Sequence, residues 1–278
     1  MDITGYAFVT GGGGKNGIGK ACCLAFAKAG ARGLLVADIN VEAAKQTADE
    51  AKSAAAASAS PKFRAEAVYI DVADGNLVQS AVAEMVELFG RIDCCVHSAG
   101  VSGGPHGPIV GNNFSDFKRT LDINVNGTYL ITNIVSVAMK TQEPEENDAT
   151  SVQPRFTRGT IVILGSVTST IAVPGMVQYN TAKHAIIGIS KTSAIDNVTH
   201  GIRVNCICPS WIDTPLVQQS YDLVPGLEQP LLDGIPMGRL GTPEEVADAA
   251  LFLSGPKSSF ITGCGLIIDG GMILGAKT

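Results

Sequence analysis

Tyr6-Ala7-Phe8-Val9-Thr10 is a short apolar run, and Gly11-Gly12-Gly13-Gly14-Lys15-Asn16-Gly17-Ile18-Gly19 follows it directly. An Ala-rich stretch over residues 20–30 comes next. Together they predict a buried strand, a glycine-rich turn and a helix. Glycines let the backbone approach a pyrophosphate, and the first turn of the helix offers unpaired N–H groups to it. Glycines alone would read as a surface loop, but the flanking strand and helix favour a dinucleotide site.

The next strand extends that site. Leu34-Leu35-Val36-Ala37-Asp38 ends in an acid nineteen residues beyond Gly19. That is close to the spacing of about 20 expected for the carboxylate that holds the adenosine ribose hydroxyls of NAD. A carboxylate there repels a 2′-phosphate, so Asp38 predicts NAD. Lys15 in the turn argues the other way, and NADP is the alternative.

The pattern then repeats. Apolar runs at 64–72, 92–97, 160–164, 202–208 and 265–269 predict five more strands. Helical stretches at 41–60, 74–89, 114–140, 177–200 and 243–254 separate most of them. Asp74 is a candidate cap, and Pro243 suits a first helical position. Short continuous apolar strands alternating with helices are the mark of a parallel sheet covered on both faces. The prediction is one α/β domain over residues 1–278, a doubly wound parallel sheet of about seven strands. Residues 141–158, rich in acids and prolines, read as a solvated loop insertion. Residues 215–236, rich in Leu and Pro, have no clean period.

Composition narrows the function. The chain has 278 residues, 45% hydrophobic and 17% charged, with a net charge of −6. That balance disfavours a nucleic-acid partner, which needs a basic face. No apolar run reaches the ~18 residues of a membrane span, and the start lacks the basic residues of a signal peptide. A soluble cytoplasmic protein with no membrane partner is expected. The seven Cys include no Cys-x-x-Cys, and the four His have no metal-ligand spacing. Buried free thiols and no metal are expected.

Tyr179 and Lys183 stand four apart in the predicted helix at 177–200. That spacing puts them on one face, one turn apart. A fixed positive charge beside a phenol favours its ionised form, so the pair is a candidate acid–base device. On its own the spacing is one that composition can supply.

Taken with these pieces, the chain resembles the classical short-chain dehydrogenase/reductase family over essentially its full length. The resemblance rests on Thr10-Gly11 with Gly17-Ile18-Gly19, Asp71-Val72, Ala99-Gly100, Asn124-Val125-Asn126-Gly127, Ser166, Tyr179-x-x-x-Lys183, Arg203-Val204-Asn205 with Pro209 and Thr214, and Asp269-Gly270-Gly271. It implies a Rossmann fold and an enzyme transferring hydride between a nicotinamide and an alcohol or ketone. Tyr179 would be the acid/base, and Lys183 would hold the nicotinamide ribose and ease ionisation of Tyr179. Ser166 would hydrogen-bond the substrate oxygen, and Asn124 would hold a water in a proton relay. For the cofactor it implies Gly11, Asn16, Gly17, Ile18, Gly19, Asp38, Asp71, Val72, Ala99, Gly100, Ile212 and Thr214, besides Tyr179 and Lys183. Asp71 would meet the adenine, and Ile212 and Thr214 the nicotinamide amide. A homotetramer or dimer is implied through the long helices, and the stripe Ala185, Ile186, Ile189 and Ser193 fits either that contact or burial against the sheet.

Three departures stand out. Five residues, Gly12 to Asn16, separate Gly11 from Gly17 where the family usually has three. The usual Asn-Asn-Ala-Gly is His97-Ser98-Ala99-Gly100, with His97 read as structural. The usual Pro-Gly after the sixth strand is Pro209-Ser210. In the family the segment at 215–236 covers the substrate. Its Leu216, Val217, Tyr221, Leu223, Val224, Leu227, Leu231, Leu232 and Ile235, with Met176, Val177 and the loop at 102–106, suggest an apolar pocket for a hydrophobic or cyclic secondary alcohol or ketone. Packing on the core or on another subunit is the competing reading, and His106 is either a substrate contact or a plain loop residue. An NADPH-dependent ketoreductase and a non-catalytic dinucleotide-binding scaffold remain as alternatives.

Overall fold

The structure, a computed structural model, describes residues 3–57, 62–104, 107–146, 156–223 and 226–275. Seven strands form one parallel sheet: β1 (Tyr6–Thr10), β2 (Gly33–Asp38), β3 (Arg64–Tyr69), β4 (Cys94–His97), β5 (Gly159–Leu164), β6 (Ile202–Pro209) and β7 (Gly265–Ile268). Their order is 3-2-1-4-5-6-7. The chain runs outward from β1 to β3, crosses back to β4 beside β1, and continues to β7. Thr10 of β1 faces Ala37 of β2 on one side and His97 of β4 on the other. Strand order reverses at that point, and such a reversal leaves a crevice at the carboxyl ends of the strands. The expected doubly wound sheet is therefore present.

Burial explains the strand types. Every residue of β5 and β6 is buried. The outer strands β3 and β7 mix exposed and covered positions, as edges do. Successive side chains point to opposite faces. Val9, Leu34 and Val36 thus join one core with Cys22 and Phe26 of α1 (Ile18–Lys28), the alanines of α2 (Val41–Ala57) and Val246 of α9 (Pro243–Ser254). Phe8, Leu35 and Ile161 join the other with α3 (Gly75–Phe89) and α5 (Gly127–Lys140). Ile186 of α6 (Val177–Asn197) belongs to this second core, so that member of the stripe is buried against the sheet.

Caps behave as the sequence suggests. Asp74 accepts from the N–H groups of Asn76 and Leu77. Thr242 and Glu245 form a capping box around Pro243.

Two segments differ from expectation. The long helix predicted at 114–140 is α4 (Phe114–Leu121) and α5 joined by a π turn at Asp122–Asn126. Residues 215–236 hold two helices, α7 (Pro215–Leu223) and α8 (Glu228–Gly234). No residue of α8 is buried, so it has no apolar face to give it a readable period.

The insertion at 141–158 is described at its ends. Glu145–Glu146 pairs antiparallel with Phe156–Thr157, and the Gln142 amide bridges Ile92 and Arg158. Its middle lies outside the described residues, as do His106 and Val224. All seven cysteines are free thiols, six of them buried. Among the described residues no helix is long and apolar enough to cross a membrane, and no cluster of His, Cys, Asp and Glu is placed to hold a metal.

Candidate active site

A cleft opens at the carboxyl ends of the central strands. It gathers predicted residues from five separate stretches: Ile18, Gly100, Ser166, Tyr179 with Lys183, and Ile212 with Thr214. Its apolar lining includes Met176, Trp211, Leu216, Val217 and Met272. Of the walls expected from the sequence, Met176, Leu216, Val217 and Ser102 line it. Ile235 lines a neighbouring groove with Gly270 instead.

Tyr179 and Lys183 lie in the first two turns of α6. The Lys183 ammonium sits 5.5 Å from the Tyr179 ring centroid and donates to the Leu164 carbonyl at 2.8 Å. Leu164 ends β5, so the sheet fixes the lysine head, and among the described residues its other two donors are uncommitted. Lys183 is buried. Ser166 follows β5 and caps a single 3₁₀ turn, its Oγ accepting from the Thr168 N–H at 3.2 Å. Among the described residues neither the Ser166 O–H nor the Tyr179 O–H is given to a protein acceptor.

Asn124 lies in the π turn between α4 and α5. Such turns are rare and often mark functional sites. The Asn124 side chain is buried and clamps Val101: Oδ1 accepts from the Val101 N–H at 2.9 Å, and Nδ2 donates to its carbonyl at 2.8 Å. Asn124 thus braces the loop after β4 and does not line the cleft.

Its carbonyl is engaged from the other side. Thr128 Oγ1 donates to the Asn124 carbonyl at 2.6 Å. The Thr128 oxygen must then accept from His97 Nε2, 3.1 Å away. His97 Nδ1 is left to accept from Thr10 Oγ1 at 2.7 Å. In the neutral ring the proton is then on Nε2. Burial, aided by the Lys183 charge, pushes its pKa down to about 3. His97 braces β1, β4 and α5 together, the structural role expected of it.

The remaining predicted residues lie toward β2 and β3. Gly11 has φ +72°, and a Cβ there would stand 2.6 Å from the Ala99 nitrogen. Gly17 precedes α1, and a Cβ on Gly19 would collide with the Gly11 carbonyl oxygen. Close backbone packing of this kind leaves a cradle at a helix N-terminus. Asp38 accepts from the N–H of Gly13 at 2.8 Å and of Asn40 at 2.9 Å. Asp71 accepts from the Ala73 N–H, and Val72 packs under Gly127. Cradle, carboxylate and lysine lie in line along the strand ends, an arrangement that fits a nicotinamide dinucleotide. In the longer turn Lys15 and Asn16 line a groove with Asp213, Thr214 and Gln218, and Thr214 also lines the cleft. Asn16 adopts φ +56° there.

Sequence reasoning did not single out Trp211 or Met272. Trp211 is the only tryptophan and follows the noted Pro209-Ser210, and Met272 follows Asp269-Gly270-Gly271. In both cases a motif pointed to the neighbouring residue.

The chain is similar to known proteins over nearly its whole length. A family model described as Enoyl-(Acyl carrier protein) reductase matches residues 11–273. The chain is 49% identical over 278 residues to "Short-chain dehydrogenase fogB" of Aspergillus ruber, covering 100% of both. It is 35% identical over 271 residues to a 2,5-dichloro-2,5-cyclohexadiene-1,4-diol dehydrogenase of Sphingobium indicum, covering 97% of this chain and 98% of that one. The crystal structure of levodione reductase superposes with a TM-score of 0.82 at 28% identity, covering 96% of each chain.

Proposed function

The chain belongs to the classical short-chain dehydrogenase/reductase family, as an oxidoreductase of the alcohol dehydrogenase/ketoreductase type with a nicotinamide cofactor, and on that premise we propose an NAD-dependent enzyme acting on a hydrophobic or cyclic secondary alcohol or ketone. The observation that carries the reading is the Tyr179–Lys183 pair, held at 5.5 Å in an apolar cleft beside Ser166. The bound nicotinamide would accept or supply the hydride. The protein's share is to position the reacting carbon and to handle one proton.

Tyr179 Oη takes that proton from the alcohol oxygen, or returns it to the ketone oxygen. The uncommitted Ser166 O–H donates to the same oxygen and steadies the negative charge that develops on it. Lys183, fixed by the Leu164 carbonyl, would hold the nicotinamide ribose with its other donors, and its ammonium lies 5.5 Å from the centre of the phenol ring. Leu216 and Val217 shed water from the cleft. Asn124 holds Val101 and so keeps the wall after β4 in place. A water relay through Asn124 would draw on its carbonyl, which Thr128 already engages.

NAD is favoured over NADP by the placement of two residues. Asp38 presents its carboxylate at the end of β2, anchored by two backbone amides. Lys15 faces the α7 side of the turn, where Gln218 and Asp222 line the same groove. With NAD as cofactor, alcohol oxidation is the working direction. The related diol dehydrogenase and levodione reductase carry cyclic compounds in their names, which supports a cyclic substrate here. Association into dimers or tetramers belongs to the same reading, supported by exposed Tyr129 and Val137 on α5 and Ile195 on α6.

The test compares Tyr179→Phe and Lys183→Ala on a panel of secondary alcohols. Tyr179→Phe should abolish turnover and hold NAD affinity within about threefold. Lys183→Ala should damage both. Appreciable turnover by the Phe variant refutes the acid/base role, and NAD binding without turnover by the unmodified protein refutes the enzymatic reading.

A further inference from the structure

Asp269-Gly270-Gly271 has no part in the chemistry described so far, yet it is tightly built. Asp269 follows β7 and reaches over the next turn. Oδ1 accepts from the Gly271 N–H at 2.8 Å and Oδ2 from the Ile273 N–H at 2.9 Å. Gly270 and Gly271 adopt φ +59° and +88°, which a residue with a Cβ rarely takes. Both also lie against the end of the covering segment. A Cβ on Gly270 would stand 2.8 Å from Ile235 Cγ2, and one on Gly271 3.2 Å from Pro236 Cγ. The Met237 N–H donates to the Gly270 carbonyl at 3.1 Å. This turn reverses the chain at the outermost strand and delivers Met272 to the catalytic cleft, beside Ser210 and Trp211.

The sheet order says which part of the cleft Met272 faces. In the proposed reading the cofactor runs from Asp38 on β2, over the glycine turn after β1, to Lys183 beside β5. Beyond that end come β6 and then β7, with Pro209 in register with Ile268. Side chains carried past the end of β7 therefore lie beyond the nicotinamide, where the substrate must sit.

We propose that Met272 is a specificity-determining residue: held by the Asp269-Gly270-Gly271 turn, it forms the end wall of the substrate part of the cleft and limits the bulk the substrate carries toward β7. The inference rests on the dehydrogenase reading above and adds the residue that sets substrate size. Methionine suits such a wall, since its unbranched side chain adapts to several apolar outlines.

The first test measures NADH-dependent reduction of cyclohexanone and of 4-tert-butylcyclohexanone. Met272→Ala should raise the kcat/KM ratio of the bulky to the small ketone about tenfold. Met272→Leu should hold the ratio within about twofold, and Asp269→Ala, which frees the turn, should shift it as Met272→Ala does. An unchanged ratio, or one factor applied equally to both ketones, overturns the proposal. The second test needs no turnover. Met272→Cys is made in a Cys264→Ser background, because Cys264 is the one native thiol not buried. Methyl methanethiosulfonate should modify the introduced thiol at the same rate with and without NADH, and several-fold more slowly once 4-tert-butylcyclohexanone is added. Protection by NADH alone, or no modification of the free enzyme, overturns the placement. The NADH-only labelling decides where Met272 points whether or not either ketone is reduced, and the alcohol panel above decides the dehydrogenase reading separately.

Discussion

Acidification should weaken this protein through His97, by an amount the structure sets. The ring is 2% exposed and its pKa is depressed to about 3. In the unfolded chain it returns to about 6.5. Above about pH 6.5 the ring is neutral in both states and costs nothing. Between about pH 6.5 and 3 the unfolded chain takes up a proton that the folded protein refuses, so stability falls with pH by about 1.4 kcal/mol per unit. From pH 6.5 to 4.5 the loss is about 2–3 kcal/mol, or about 5 °C in Tm for a domain of this size. The assay is thermal unfolding of the unmodified protein and of His97→Asn, at one protein concentration, over that range. The variant loses both hydrogen bonds of the ring and starts lower, but it has no such proton to exclude. Its Tm should therefore fall less steeply, and the two curves should converge by about 5 °C. Carboxylates titrate in both proteins and cancel in the difference. Parallel curves would show that His97 is not held neutral and would undo the assignment of Nδ1 as acceptor.

Two further outcomes follow from the cofactor end. Asp38→Ala should raise the KM for NAD about tenfold and shift the NADP-to-NAD ratio of kcat/KM upward, read in steady-state assays with each cofactor; an unchanged ratio would mean that Asp38 does not discriminate. Gly19→Ala forces a methyl onto the Gly11 carbonyl, so Tm should drop by several degrees, for a cost of about 1–3 kcal/mol. The same variant should lose measurable NAD binding by titration calorimetry, and normal binding would argue against a pyrophosphate seat at this turn.

The sheet was legible because its signals are local. The run into Gly11, the nineteen residues to Asp38 and the apolar strands each follow from backbone needs that a short window displays. The spacing of Tyr179 and Lys183 is equally local, and the fold brings both to one cleft with Ser166. What escaped was set by distant partners. Nothing near His97 says that Thr10 and Thr128 will hold it. Val101 as the partner of Asn124 depends on α4 crossing the loop after β4. Met272 enters the cleft because of a turn built against Ile235 and Pro236. The helices α7 and α8 were hidden because α8 buries nothing and α7 spans only 9 residues.

The π turn that carries Asn124 also shifts the phase of its helix. An extra residue within one turn rotates everything after it by about 100° relative to an unbroken α-helix. The buried face of α5, with Ile131, Val135 and Met139, is therefore set by that offset relative to the frame of α4, whose one buried residue is Thr120. Deleting one residue between Asp122 and Asn126 would give the helix a regular ladder of hydrogen bonds. It would also swing Asn124 off Val101 or turn the α5 stripe away from the core. One surplus residue thus serves as a mechanical adapter, letting a single helix obey two orientations at once.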